Sequence, residues 1–203
     1  MKLVIIDYGL GNLRSIEKAL QYVGADADIS NDPSAIDRAD ALILPGVGAF
    51  RDAMMHFSTL TRVVKDAVND GKPLLGICLG MQMLTSESEE GGIYSGIDII
   101  PGRVIRFPAS DLKVPHMGWN SLIIRKEIPL LKGIKNGSFV YFVHSYYVDT
   151  EAKHRAALCD YGLEFPAVIT SEAGNVVGTQ FHPEKSGTIG LRMLKNFVES
   201  YGH

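Results

Sequence analysis

"LLGICLGMQML", residues 74–84, decides how the rest of this chain is read. An apolar strand-like run meets Cys78, fenced by Gly76 and Gly80, and a helix-like run follows at once. Gly-x-Cys-x-Gly between strand and helix is the layout of a nucleophile elbow, where small residues let the two elements approach closely around a sharp, strained turn. The apex side chain then stands above the carboxyl end of the sheet, where open α/β sheets bind ligands. The helix offers its free N–H groups and positive dipole end to a thiolate. The N–H of Leu79, the residue after the apex, points where an oxyanion would form. A buried structural cysteine in a glycine-rich turn is the competing reading, because free cysteine is often simply core.

Outward from the elbow, the first half alternates strand and helix. Residues 2–7, 40–44 and 74–77 read as buried strands. Residues 12–23 place Leu13, Ile16, Ala19, Leu20 and Val23 on one helical face, and residues 60–70 do the same with Leu60, Val63, Val64, Ala67 and Val68. The second half holds short strand-like runs at 102–107, 121–125, 138–143, 154–159, 165–170 and 175–181, with turn residues between them, and ends on a helix over about 187–201. The pattern predicts one α/β domain over residues 1–203. Its central sheet is mixed and mostly parallel, flanked by helices, with antiparallel hairpins in the C-terminal half.

The 203 residues, 46% hydrophobic and 21% charged, suffice for one compact core. A net charge of −3 without a basic, aromatic-interleaved stripe argues against nucleic acid as a partner. No run approaches the ~20 apolar residues of a membrane helix, and the apolar run in "MKLVIIDYG" is too short for a signal peptide. Cys78 and Cys159, the two cysteines, form no CxxC pair, so structural zinc is not expected and a reducing, cytoplasmic setting is.

An acyl-transfer cysteine needs a second oxyanion donor, a base and an orienter for the base. The loop after the third strand, "LPGVGAF" (44–50), supplies the donor from Val47 or Gly48, with Gly46 and Gly48 able to turn amide hydrogens inward. In "TQFHPEKS", Glu184 lies two residues after His182, on the same face of an extended segment, so the two can hydrogen-bond. His56, His144 and His154 read as surface or packing residues, and His203 is terminal.

Taken together, GICLGMQ, PGVG and HPE resemble the triad-type (class I) glutamine amidotransferases. "DYGLGNLRS" (7–15), "PGVGAF", "PHMGWN" (115–120) and "YFVHSY" (141–146) are similar, more narrowly, to the glutaminase branch of imidazole glycerol phosphate synthase, in order from about residue 3 to residue 199. Met81 stands where many class I relatives have histidine, as in that branch. The resemblance implies L-glutamine as substrate, Cys78, His182 and Glu184 as catalytic triad, and Val47, Gly48 and Leu79 at the oxyanion hole. It also implies Gln82, Glu90, Ser145 and Tyr146 at the substrate, with Glu87 and Glu89 close competitors for the role of Glu90. No metal and no cofactor are called for. A (β/α)8-barrel cyclase subunit is the implied partner, which consumes the ammonia to make imidazole glycerol phosphate and an aminoimidazole carboxamide ribotide in histidine biosynthesis.

Asn12, His116, Trp119 and Lys185 are expected on the partner face. Pro115, Gly118 and Asn120 suggest an exposed loop carrying Trp119, and large aromatics in such positions anchor interfaces. Two other readings compete. A stand-alone cysteine hydrolase or peptidase could use the same triad without a partner. "IIDYGLGNLR" also mimics a dinucleotide fingerprint, but Arg14 occupies the third glycine position, where close packing wants no side chain.

Overall fold

The structure is a computed structural model, described for residues 2–109 and 112–201, so His203 lies outside the described residues. The first half runs β1 (Leu3–Ile6), α1 (Leu13–Tyr22), β2 (Ala27–Ser30), α2 (Pro33–Asp37), β3 (Ala41–Leu44), α3 (Phe50–Phe57), α4 (Thr61–Asn69), β4 (Leu74–Ile77) and α5 (Leu79–Met83). The second half runs β5 (Glu87–Ser88), β6 (Tyr94–Ser95), β7 (Arg103–Arg106), β8 (His116–Ser121), β9 (Ile123–Ile124), β10 (Phe139–His144), β11 (Tyr146–Asp149), β12 (Arg155–Asp160), β13 (Glu164–Thr170), β14 (Val176–Thr179) and α6 (Gly187–Tyr201). Among the described residues, eight strands form the main sheet in the order β2-β1-β3-β4-β14-β13-β12-β9. The members from β2 to β14 pair in parallel; β13, β12 and β9 continue antiparallel. This is the predicted mixed, mostly parallel sheet.

Both faces of the sheet are covered, so its central strands are apolar throughout. Leu3 and Ile5 of β1 enter one core with Leu20 of α1 and Leu194 and Phe197 of α6. Val4 and Ile6 enter the other with Phe50 and Phe57 of α3 and Val64 of α4. One strand thus feeds two cores because successive side chains point to opposite faces.

Two expectations need correction. "PHMGWN" is no loop: residues 116–121 form β8, paired antiparallel with β10 so that His116 faces His144 and Trp119 faces Tyr141. Its Gly118, at φ +134°, sits in a conformation side chains disfavour, which is why the sequence reads as a turn. The strand expected at 121–125 shrinks to Ile123–Ile124. A further small sheet, in the order β11-β7-β5-β6, packs beside β13 of the main one; of its strands the sequence predicts only β7, and β5 and β6 are two residues each.

Candidate active site

Cys78 ends β4 and caps α5, with its N–H donating to Thr179 O of β14 at 2.7 Å. Its backbone takes φ 54°, ψ −109°, a conformation costly for a residue with a Cβ, of order 1–3 kcal/mol. The strain is therefore on the cysteine itself, and the glycines around it solve a different problem. A Cβ on Gly46 would come within 2.5 Å of Gly80 N, one on Gly76 within 2.8 Å of Gly80 O, and one on Gly80 would meet the Leu44 carbonyl oxygen. Three glycines let β3, β4 and α5 pack backbone to backbone. Of the loop glycines, only Gly48 takes a positive φ, +98°; Gly46 serves close approach. Leu79 opens α5, so its N–H is among those a helix leaves without an internal acceptor. With five residues, α5 contributes a smaller dipole than the sequence reading supposed.

The sulfur opens on a cavity of about 340 Å³, within the range of small-molecule sites. Val47, Gly48 and Leu79 line one side; Gln82, Glu90, Ser145, Tyr146 and His182 line the others. Of the three neighbouring acids, Glu87 and Glu89 turn to Arg103, at 3.1 and 3.9 Å, whereas Glu90 lines the cavity and accepts from Phe50 N at 2.8 Å.

Nδ1 of His182 lies 2.8 Å from Glu184 Oε1, and the ring shares the cavity wall with Cys78, close enough for the cysteine to raise its pKa. The contact arises differently from expectation: residues 183–185 form a 3-10 turn, begun by Pro183, rather than an extended run. Burial is the largest influence on His182 and lowers its pKa. The hydrogen bonds and charges of Cys78 and Glu184 together outweigh it and raise the pKa to about 9. The Glu184 side chain is fully buried and its Oε2 lacks a hydrogen-bond partner, so His182 is its principal counter-charge. Such a set can hold a thiolate–imidazolium pair, stabilise an oxyanion beside Leu79 and pass a proton to a leaving group.

The residues expected on a partner face divide. Asn12 follows β1 and Lys185 ends the 3-10 turn after β14, both at the carboxyl edge of the parallel strands, where Cys78 also lies. Trp119 is 55% exposed and packs edge-to-face on Tyr141, whose carbonyl accepts from His182 N at 3.0 Å. His116 is corrected: it is buried, stacked between Phe142 and Tyr161, because in β8 the pleat sends 117 and 119 outward and 116 inward. Its Nδ1 lies 3.0 Å from Nε2 of His144. His144, read from the sequence as surface or packing, is both buried and part of the cavity wall. Gln180, which the sequence reading passed over, brings its Nε2 within 3.8 Å of Cys78 Sγ. Its position two residues before His182, on the same face of an extended segment, was the available signal.

Among the described residues no cluster of His, Cys, Asp and Glu could hold a metal ion, and no helix is long and apolar enough to cross a membrane. The family model for glutamine amidotransferase class-I matches residues 4–200. The imidazole glycerol phosphate synthase subunit HisH of Methanosarcina acetivorans is 61% identical over 198 residues, 98% of each chain. That of Methanosarcina mazei is 58% identical over the same coverage. A chain in the structure of PurLQS from Thermotoga maritima superposes with a TM-score of 0.75 at 18% identity, covering 98% of this chain and 97% of that one, which is a likeness of fold.

Proposed function

The chain belongs to the class I glutamine amidotransferase family, and from that premise we propose that it is the glutaminase subunit of an imidazole glycerol phosphate synthase, acting in histidine biosynthesis. It hydrolyses L-glutamine to glutamate and ammonia. One observation carries the chemistry: a cysteine on a strained elbow, sharing the wall of an amino-acid-sized cavity with a histidine that a buried glutamate holds.

Cys78, as thiolate, attacks the side-chain amide carbon of glutamine, and its proton resides on His182. The resulting oxyanion takes the N–H of Leu79 and that of Val47 or Gly48, each donor typically worth about 2.7–4 kcal/mol in the transition state. His182 gives its proton to the departing ammonia as the C–N bond breaks, leaving a thioester. It then takes a proton from water, whose oxygen displaces the sulfur, and glutamate leaves. Glu184 keeps the imidazole oriented and balances its charge. Gln82, Glu90 and the Ser145–Tyr146 backbone are assigned to the substrate's amino-acid end, supported by their place in the cavity wall.

In water, ammonia is protonated and ceases to be a nucleophile, so a glutaminase of this kind works docked on the enzyme that consumes it. The partner is a (β/α)8-barrel cyclase subunit, in a cytoplasmic heterodimer. Its docking face comprises Asn12, Trp119 and Lys185, supported by the exposure of Trp119 and Lys185, beside a half-buried Asn12, and by their place at or beside the edge where the cysteine lies. Glutaminase activity with and without the barrel subunit and its nucleotide ligand tests the proposal. Cys78→Ala is expected to abolish glutamine turnover while the complex keeps ammonia-dependent synthesis. Loss of both would assign Cys78 to folding or docking instead.

A further inference from the structure

We infer that Gln180 is a catalytic residue: a neutral hydrogen-bond donor to the reacting sulfur of Cys78, aimed by a chain of hydrogen bonds anchored on the Tyr146 carbonyl. It rests on the reading of Cys78 as nucleophile. The direction of every link follows from one fact, that a backbone carbonyl only accepts. Tyr146 O lies 3.1 Å from one end of the Gln82 amide, which must be Nε2. The same Nε2 lies 3.1 Å from Gln180, so the Gln180 atom facing it must be the acceptor Oε1. That leaves Gln180 Nε2 facing Cys78 Sγ at 3.8 Å. Gln180 is fully buried, so the alternative of turning its amide to water is closed.

The second half of the anchor is equally directed. His144 Nδ1 lies 2.8 Å from the same Tyr146 carbonyl and must donate, so its Nε2 accepts when the ring is neutral. His116 Nδ1, 3.0 Å away, then donates to it, and His116 Nε2 accepts from Asn120 Nδ2 at 3.4 Å. Burial lowers the pKa of His116 to about 4. Burial likewise is the chief cause that brings His144 to about 3. Both rings are neutral at physiological pH, as the chain requires. Two donors share the Tyr146 oxygen, so neither amide can flip without leaving a buried N–H or C=O unpaired. In the thiol form Cys78 has Val143 O as a distant acceptor at 3.9 Å; in the thiolate form Gln180 and His182 both donate to the sulfur.

Alkylation by iodoacetamide reads the thiolate directly and needs no glutamine. Cys159 does not interfere, since burial first and the charge of Asp160 second push its thiol up to about 12. The titratable groups facing Cys78 are His182 with Glu184 behind it, Tyr8 from the loop after β1, and Glu90 and His144 in the cavity region; all are kept. Gln180→Met and Gln180→Leu both remove the donor and add no charge beside the sulfur. In both, the pH midpoint of Cys78 alkylation is expected to rise by about one unit, with the rate falling up to about tenfold at pH values below that midpoint. The kcat for glutamine in the complex falls by a similar factor with a smaller change in KM. A wild-type alkylation midpoint in both variants overturns the inference. So does an effect confined to KM of Gln180→Met, which would make Gln180 only a support for Gln82. If Gln180→Met lowers the melting temperature, the midpoint read on the folded chain below that temperature, in Gln180→Leu as well, decides. A wild-type chain that alkylates readily but never hydrolyses glutamine would count against the proposed function and not against this donor.

Discussion

Replacing Glu184 with Gln keeps the shape of the side chain and an oxygen for Nδ1 of His182 while deleting the charge. The structure sets the scale of the effect. The rise of the His182 pKa from 6.5 to about 9 corresponds to about 3 kcal/mol in favour of the imidazolium, after burial has been overcome. Cys78 and Glu184 supply it, each offsetting part of the burial penalty, so losing one is expected to lower the pKa by at least about one unit, or about 1.4 kcal/mol. At pH 8 the imidazolium then falls from about nine-tenths of the population to half or less. With it goes the thiolate–imidazolium pair and the proton that ammonia must receive. The kcat should fall roughly tenfold to a thousandfold, less than on loss of His182, with KM changed less than about threefold. NMR titration of the isotope-labelled His182 ring and steady-state glutaminase assays with the partner present measure both quantities. An unmoved titration together with kcat within about twofold of wild type would refute the role of Glu184 and reduce the triad to a dyad.

Trp119→Ala and Lys185→Ala should weaken binding of the barrel subunit by about five- to thirtyfold each and reduce stimulation by its ligand. The melting temperature should hold, since both side chains are exposed; calorimetric titration giving wild-type affinity in both would move the docking face elsewhere. Acid should destabilise the chain through the His116–His144 pair. Their folded pKa values, about 4 and 3, lie below the unfolded 6.5, so the unfolded chain binds protons that the folded one refuses. The stability of the neutral pair is therefore complete above about pH 6.5 and is lost as pH falls toward 4. The melting temperature should drop by at least about 5 °C between pH 6.5 and 4.5, and His144→Asn, which keeps a donor for Tyr146 O, should flatten that slope. An equal slope in the variant would place the acid sensitivity elsewhere.

The sequence by itself determined the layered architecture and singled out the candidate reacting groups. Strands buried on both faces need unbroken apolar runs, as in "LVII", "ALIL" and "LLGI", and amphipathic helices need a 3.6-residue period, as in α1 and α4; both patterns are local and survive in one dimension. Gly-x-Cys-x-Gly and His-Pro-Glu carry their geometry in adjacent residues, so the elbow and the histidine–glutamate pair were legible before any fold was known. The tertiary structure decided what depends on contacts across many positions. That His116 turns inward, that β8 is a strand and not a loop, and that Glu90 rather than Glu87 or Glu89 meets the cavity all follow from pairings with residues 14 to 40 positions away. The Gln180 amide is the extreme case. Its place two residues before His182 is a local hint, but Cys78 is 102 positions away and Gln82 is 98 away, so the folded carbonyl of Tyr146 decides which end of the amide meets the sulfur.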